Sequence, residues 1–265
     1  MKNLCLLFFI VLGVSSCQWG VPNKVAEKSF DTLRYAYKVI KARAADCGTK
    51  PDSACTVVKI NYPFFGGAKA LNDTINRKLT VMFAMDGKAD SSLELMTKNF
   101  LKSYDDFKKD DSRSGMFFTL DDSVKMIHQD SSLTTLEVRG YSYTGGAHGG
   151  TSITFINWDT KAGKNLKLND VFVSGYHDKL TAVAEKIFRK NEKLNATASL
   201  KDNYFFKDDK FAINDNFSIT PLGIKFLYNQ YDIKPYAAGI TELFIPYTQI
   251  KSLVQPGSVV SQFIK

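Results

Sequence analysis

Cys47 and Cys55 bracket the segment Gly48-Thr49-Lys50-Pro51-Asp52-Ser53-Ala54, and strand-like sequence lies on both sides of it, at residues 33–40 and 56–62. A cluster of turn formers between two such runs reads as a β-hairpin. A cysteine at each root allows a disulfide to close that hairpin, provided the compartment is oxidising and no other thiol competes.

The chain holds four cysteines, and the other two lie in its first seventeen residues. That segment starts basic at Lys2, continues through an apolar run at 4–13, and approaches Cys17 through Val14-Ser15-Ser16. The run is too short to span a bilayer and has the order of an export leader. No Ala-x-Ala triplet ends it, which favours a lipoprotein signal peptide at 1–16 over an ordinary secretory one. Cys5 then leaves with the leader, Cys17 carries the lipid, and Cys47 and Cys55 remain as an even pair in an exported protein. Their expected state is a disulfide. Two free thiols are the alternative, whereas a metal site would need more ligands than two cysteines with no nearby histidine. Gln18, in place of an acidic residue, leans toward the outer membrane by resemblance to Gram-negative sorting rules. The expected location is outside the cytoplasm, anchored to a bacterial membrane by lipid, with residues 17–29 as a tether.

Hydrophobic residues make up 44% of the sequence and aromatic residues 13%, enough for the remaining residues to bury a core in one or two domains. The formal charge of +8 is spread along the chain: Lys186-Ile187-Phe188-Arg189-Lys190 is offset elsewhere by acidic pieces such as Asp105-Asp106. Such mixing argues against a nucleic-acid face and for a solvated basic surface near anionic envelope polymers.

The hydrophobic pattern predicts an α+β chain. Strand-like pieces at 33–45 and 54–62 lead through Pro63-Phe64-Phe65-Gly66-Gly67 to a helix at 68–85, where Leu71, Ile75, Leu79 and Met82 follow helical spacing. A second helix is expected at 93–109. Three strands follow at 116–128, 132–143 and 151–158, the last two joined by a glycine-rich turn. A helix at 177–193 presents Leu180, Val183, Ala184, Ile187 and Phe188 on one face. Strands then return at 216–220, 223–229 and 239–245, before a short terminal helix. Strands in runs, rather than alternating singly with helices, argue for antiparallel sheets with packed helices. The expected layout is two closely associated α+β sub-domains, 30–160 and 161–265.

The turn reads Tyr143-Thr144-Gly145-Gly146-Ala147-His148-Gly149-Gly150. It is followed by Leu166-Lys167-Leu168-Asn169-Asp170-Val171-Phe172 and, farther on, by Tyr231-Asp232-Ile233-Lys234-Pro235-Tyr236-Ala237-Ala238-Gly239. In this order the motifs resemble the paired extracytoplasmic domains of unknown function found in the anti-sigma factor RsiV and beside the catalytic domain of the peptidoglycan deacetylase PdaC. The resemblance covers most of residues 30–253. It implies binding of an envelope polymer, or of a wall-attacking protein such as lysozyme. It carries over neither sigma-factor signalling nor deacetylation, because the segments responsible for those activities lie outside the resembling region.

The candidate binding residues are His148, Tyr141, Tyr143, Pro235 and Tyr236, with Tyr231 in the same loop. Tyrosines offer a flat face with a polar tip, suited to sugar rings or to protein anchors, and equally usable in a core. His148 has three readings: its ring fixes the bend by bonding to backbone or packing on Tyr236, it binds a ligand, or it serves as a catalytic base. Glu137 shares a strand face with Arg139, Tyr141 and Tyr143. It is either half of a cross-strand Glu–Arg pair on a solvated face or one carboxylate of a glycosidase, which would need a second at a set distance, such as Asp170 or Asp232. His128 and His177 form no short-range ligand pair, so neither a metal nor a cofactor is expected. Two functions compete: a non-catalytic binding module and a periplasmic glycan or peptidoglycan hydrolase. A lysozyme inhibitor is a sharp form of the first, and the basic charge speaks against it because C-type lysozymes are basic too.

Overall fold

In a computed structural model, residues 32–84 and 88–264 are described. The leader, Cys17 and the tether lie outside them. The two strands flanking the cysteine segment form the hairpin that the turn formers dictate: β1 (Tyr35–Arg43) pairs antiparallel with β2 (Val57–Phe65), Arg43 opposite Val57. Cys47 and Cys55 are joined by a disulfide at the root of this hairpin, and both are buried. β2 runs through Pro63 to Phe65, so the expected turn starts three residues later, at Gly66. Proline is tolerated here because beyond Asn61 this strand has a ladder partner on one side only, β1.

From β2 the chain crosses over through α1 (Lys69–Met82) and α2 (Leu93–Asp110). Ser92 caps α2, its Oγ accepting from the Leu95 N–H at 3.1 Å, as expected of an N-cap serine. The crossover returns the chain parallel to β2, in β3 (Thr119–Gln129). This one parallel pair departs from the expected all-antiparallel pattern. Its cause is the two-helix connection, since parallel neighbours require a long crossover. β4 (Leu133–Tyr143), β5 (Gly150–Asp159) and the short β6 (Lys164–Asn165) then add antiparallel, giving a six-stranded sheet in sequence order.

One face of this sheet buries Val58, Ile60, Leu120, Val124, Leu136, Val138 and Ile156 against Leu71, Ile75 and Leu79 of α1. These are alternate residues of each strand meeting i, i+4 positions of the helix. Phe118 and Tyr104 close the core over the disulfide, and the Tyr104 hydroxyl donates to Asp46 Oδ2 at 2.8 Å. One core position breaks the apolar alternation of β3: Asp122, fully buried, with neither carboxyl oxygen hydrogen-bonded.

The rest of the chain builds a three-stranded antiparallel sheet of β7 (Phe217–Ile219), β8 (Gly223–Tyr228) and β9 (Thr241–Pro246). Leu180, Ala184 and Phe188 of α4 (His177–Asn191) share its core, after the four-residue α3 (Leu168–Val171); α5 (Tyr247–Ile250) follows β9.

Asparagine side chains tie the two sheets together. The Asn157 amide donates to the Phe217 carbonyl at 2.8 Å, while its oxygen accepts from the Ile219 N–H at 2.8 Å, so this one side chain replaces a ladder rung to β7. Asn229 does the same at Ile153, its oxygen accepting from the Ile153 N–H at 2.8 Å and its amide donating to the Ile153 carbonyl at 3.1 Å. Asn216 adds a bond to that carbonyl at 2.8 Å. Buried backbone groups left bare would be costly; Asn229 and Asn216 satisfy those of Ile153 on β5, where β6 does not reach, and Asn157 satisfies those of Phe217 and Ile219 on β7.

Candidate functional site

The glycine-rich turn and the loop after β8 meet at the end of β4 and β5. The His148 and Tyr236 rings stack with centroids 3.6 Å apart and planes 16° apart. The Tyr236 hydroxyl donates to the Gly149 carbonyl at 3.0 Å, and the same carbonyl lies 3.1 Å from His148 Nδ1. A proton on Nδ1 makes that second contact a hydrogen bond. Both loops are thereby fixed to one backbone oxygen, and the Asn229–Ile153 bonds hold them together from below.

The turn's glycines have two separate causes. Gly145 and Gly146 sit at φ of 108° and 88°, which side-chain-bearing residues seldom adopt. Gly149 does not need positive φ; it is buried because the Tyr141 ring lies against it, and a Cβ there would stand 2.4 Å from the ring. The Tyr143 hydroxyl closes the turn by donating to the Gly146 carbonyl at 3.1 Å.

Of the tyrosines, none of this group is core. Tyr231 is 59% exposed and Tyr141 39% exposed. Tyr143 and Tyr236 are half-buried, and His148 and Pro235 are exposed. Tyr231 lies 5.7 Å from Tyr236, its backbone at φ 69°. Pro235 precedes the single 3-10 turn at Tyr236–Ala238 that presents the Tyr236 ring. Exposed aromatic faces with polar edges are therefore gathered on one surface.

Glu137 and Arg139 form an ion pair at 3.7 Å, but as i, i+2 neighbours on one strand rather than across two. The other carboxylates weighed as its partners are engaged elsewhere. Against a desolvation that raises it, the Lys164 ammonium and the Lys167 N–H hold the Asp170 carboxyl below its usual range. Burial pushes the Asp232 carboxyl up, partly offset by the Asn229 N–H that donates to it at 2.7 Å. His128 bonds to Asp130 at 2.9 Å, and His177 lies 3.6 Å from Asp178. Among the described residues, no group of three or more His, Cys, Asp or Glu is placed to hold a metal ion, and no helix is long and apolar enough to cross a membrane.

Sequence reasoning missed the asparagine ties and the exposure of Phe205, which is 55% exposed. Asn157, Asn216 and Asn229 carry no local signal, since their partners lie 60 residues or more away for Asn157 and 76 for Asn229. Within Tyr204-Phe205-Phe206 nothing distinguishes the residue that points outward.

The sequence and the two-sheet fold match known proteins over most of the chain. Residues 49–151 match the family model described as deacetylase PdaC, and residues 169–248 match that described as protein of unknown function, DUF3298. The chain belongs to the PdaC/DUF3298-like family. It is 22% identical over 206 residues to the peptidoglycan-N-acetylmuramic acid deacetylase PdaC of Bacillus subtilis, covering 74% of this chain but 38% of that protein. Two solved structures share the fold at a TM-score of 0.67 each. A DUF3298 family member from Bacteroides fragilis is 22% identical, with 88% of this chain and 98% of that one covered. One from Pseudomonas aeruginosa is 25% identical, with 86% and 96% covered.

Proposed function

We propose that the protein is a non-catalytic envelope module, lipid-anchored at Cys17, that binds cell-wall glycan through the surface built by His148, Tyr236, Tyr231 and Tyr141. The observation that carries this reading is the ring stack fixed to the Gly149 carbonyl beside two exposed tyrosines. Flat faces held rigid before binding lose little entropy when a sugar ring packs on them. The relative named for acting on peptidoglycan N-acetylmuramic acid supports the polymer as ligand. A wall-attacking protein such as lysozyme is the other partner of this class, and the chain's net charge of +8 disfavours a basic one. For the hydrolase reading, Glu137 is the candidate acid on the neighbouring strand face, and it is paired with Arg139 at 3.7 Å.

The test is a pull-down with insoluble peptidoglycan and with lysozymes of different charge, alongside a reducing-sugar release assay. Tyr236→Ala is expected to weaken polymer retention at least fivefold, an anchor aromatic's contribution of about 1 kcal/mol or more, while an unaltered melting curve shows the fold intact. Sugar release by the wild type that disappears in Glu137→Gln establishes the hydrolase instead.

A further inference from the structure

A second recessed surface runs from α4 to the loop that carries Tyr236. Two grooves, of about 540 and 370 Å³, share Leu194 as a common wall, within the size range of small-molecule sites. The first lies along α4; the second is lined by Phe205, Pro235, Ala238, Lys234 and Asp202 among others.

The cations here fall into two groups. Arg189 bonds to Glu185 and donates to the carbonyls of Asn195 and Ala198, which fixes the 194–198 segment against the helix. Lys234 bonds to Glu192 at 3.0 Å, and the Tyr204 hydroxyl donates to the other oxygen of the same carboxylate. These four charges are used in building the walls. Lys186 and Lys190 line the first groove, are exposed, and have no anionic partner among the described residues. They stand one helical turn apart, so each raises the cost of the other's charge. An anion seated between them relieves that repulsion.

The second groove is different in kind. Phe205 and Pro235 present apolar faces, and Asp202, also on the lining, repels an anion from that end. Joined at Leu194, the two grooves form one polarised groove, with the Lys186 and Lys190 ammonium groups at one end and an exposed ring with an acceptor at the other.

We propose that this groove binds an anionic saccharide, its carboxylate or phosphate between Lys186 and Lys190 and a sugar ring on Phe205 and Pro235. This rests on the glycan-binding reading and narrows it to a charged glycan held on a second surface beside the aromatic one. The saccharide's carboxylate and phosphate forms share the chemistry the groove recognises.

The experiment titrates the purified protein, at several salt concentrations, with oligogalacturonate as carboxylated probe, a sugar-phosphate oligomer, a chitin oligosaccharide of equal length as neutral probe, and linear polyphosphate as an anion without sugar. Tighter binding of either anionic saccharide than of both controls is expected, and which saccharide wins identifies the anion. The double variant Lys186→Gln/Lys190→Gln should weaken that binding tenfold or more and flatten its salt dependence, with the melting temperature unchanged. Phe205→Ala should weaken the saccharides but not polyphosphate. Equal binding of the neutral oligosaccharide, polyphosphate binding as tight as the saccharides, or indifference to the lysine pair overturns the proposal. Peptidoglycan pull-down with the same double variant separates the two readings: retention that survives lysine removal but is lost in Tyr236→Ala sinks the groove and leaves the aromatic surface standing.

Discussion

Replacing Asp122 by Asn is expected to stabilise the protein at neutral pH and to do so by an amount that grows with pH. Asp122 is fully buried under Met82 and Phe83, opposite Gly140, where a Cβ would stand 2.4 Å from its Oδ1. Burial, aided by the neighbouring Asp121 charge, pushes its carboxyl up from 3.8 to about 8. The folded protein therefore keeps this proton through neutrality, whereas the unfolded chain releases it near pH 4. Stability from this group is fully present below the unfolded value, falls as pH rises, and is flat above about 8. At about 1.36 kcal/mol per pH unit, the loss accumulated by pH 7 is about 4 kcal/mol. Asparagine is nearly isosteric, equally short of partners and never charged, so the difference between the two proteins isolates the proton. Urea unfolding followed by circular dichroism at pH 4, 5.5, 7 and 8.5 measures that difference, and effects of other titrating groups cancel in it. Near equality at pH 4 and a variant more stable by several kcal/mol at pH 7 are expected. A difference that stays constant across this range would refute the reasoning, because the carboxyl would then titrate alike in both states.

Reduction of the Cys47–Cys55 disulfide, which closes a short loop with a sequence separation of 8, should lower stability by about 2.6 kcal/mol on the chain-entropy relation; thiol titration of native, unreduced protein should find neither sulfur free. Cys17→Ala should shift the protein from the membrane fraction to the soluble one, and a wild type left unmarked by a palmitate analogue would contradict lipidation. Asn157→Ala strips partners from the Phe217 carbonyl and the Ile219 N–H and should cost at least about 2 kcal/mol in chemical denaturation. Gly223→Ala places a Cβ 2.3 Å from the Ile245 carbonyl oxygen, whereas Gly66 faces open space; the first should destabilise by about 1–3 kcal/mol, and a Gly66→Ala control should leave the melting temperature nearly unchanged.

Local pattern carried much of the fold. The helical spacing of Leu71, Ile75 and Leu79, and of Leu180, Ala184 and Phe188, marked the faces that α1 and α4 bury. The turn formers between Cys47 and Cys55 marked the hairpin. The parallel pairing of β2 with β3 was not legible, because strand direction is decided by how the crossover packs and not by the strands' own residues. At the candidate site, the glycine-rich turn announced itself and the His148–Tyr236 neighbourhood was expected. The separate role of Gly149 was hidden, since only the folded chain brings Tyr141 against it. Asp122 was visible as a polar residue within the alternation Leu120, Asp122, Val124, yet nothing nearby said that no partner would meet it.

The ring stack joins two stretches that separate family models describe: His148 falls within 49–151 and Tyr236 within 169–248. Neither stretch owns the surface. Because the bond from Tyr236 ends on the Gly149 backbone and not on a side chain, substitutions elsewhere in the turn preserve the joint as long as the backbone path is kept. A break in the chain between residues 151 and 169 that let the halves drift apart would erase the surface without altering a single residue that forms it. The two stretches thus behave as one heritable unit, and a fragment carrying either alone presents half a seam.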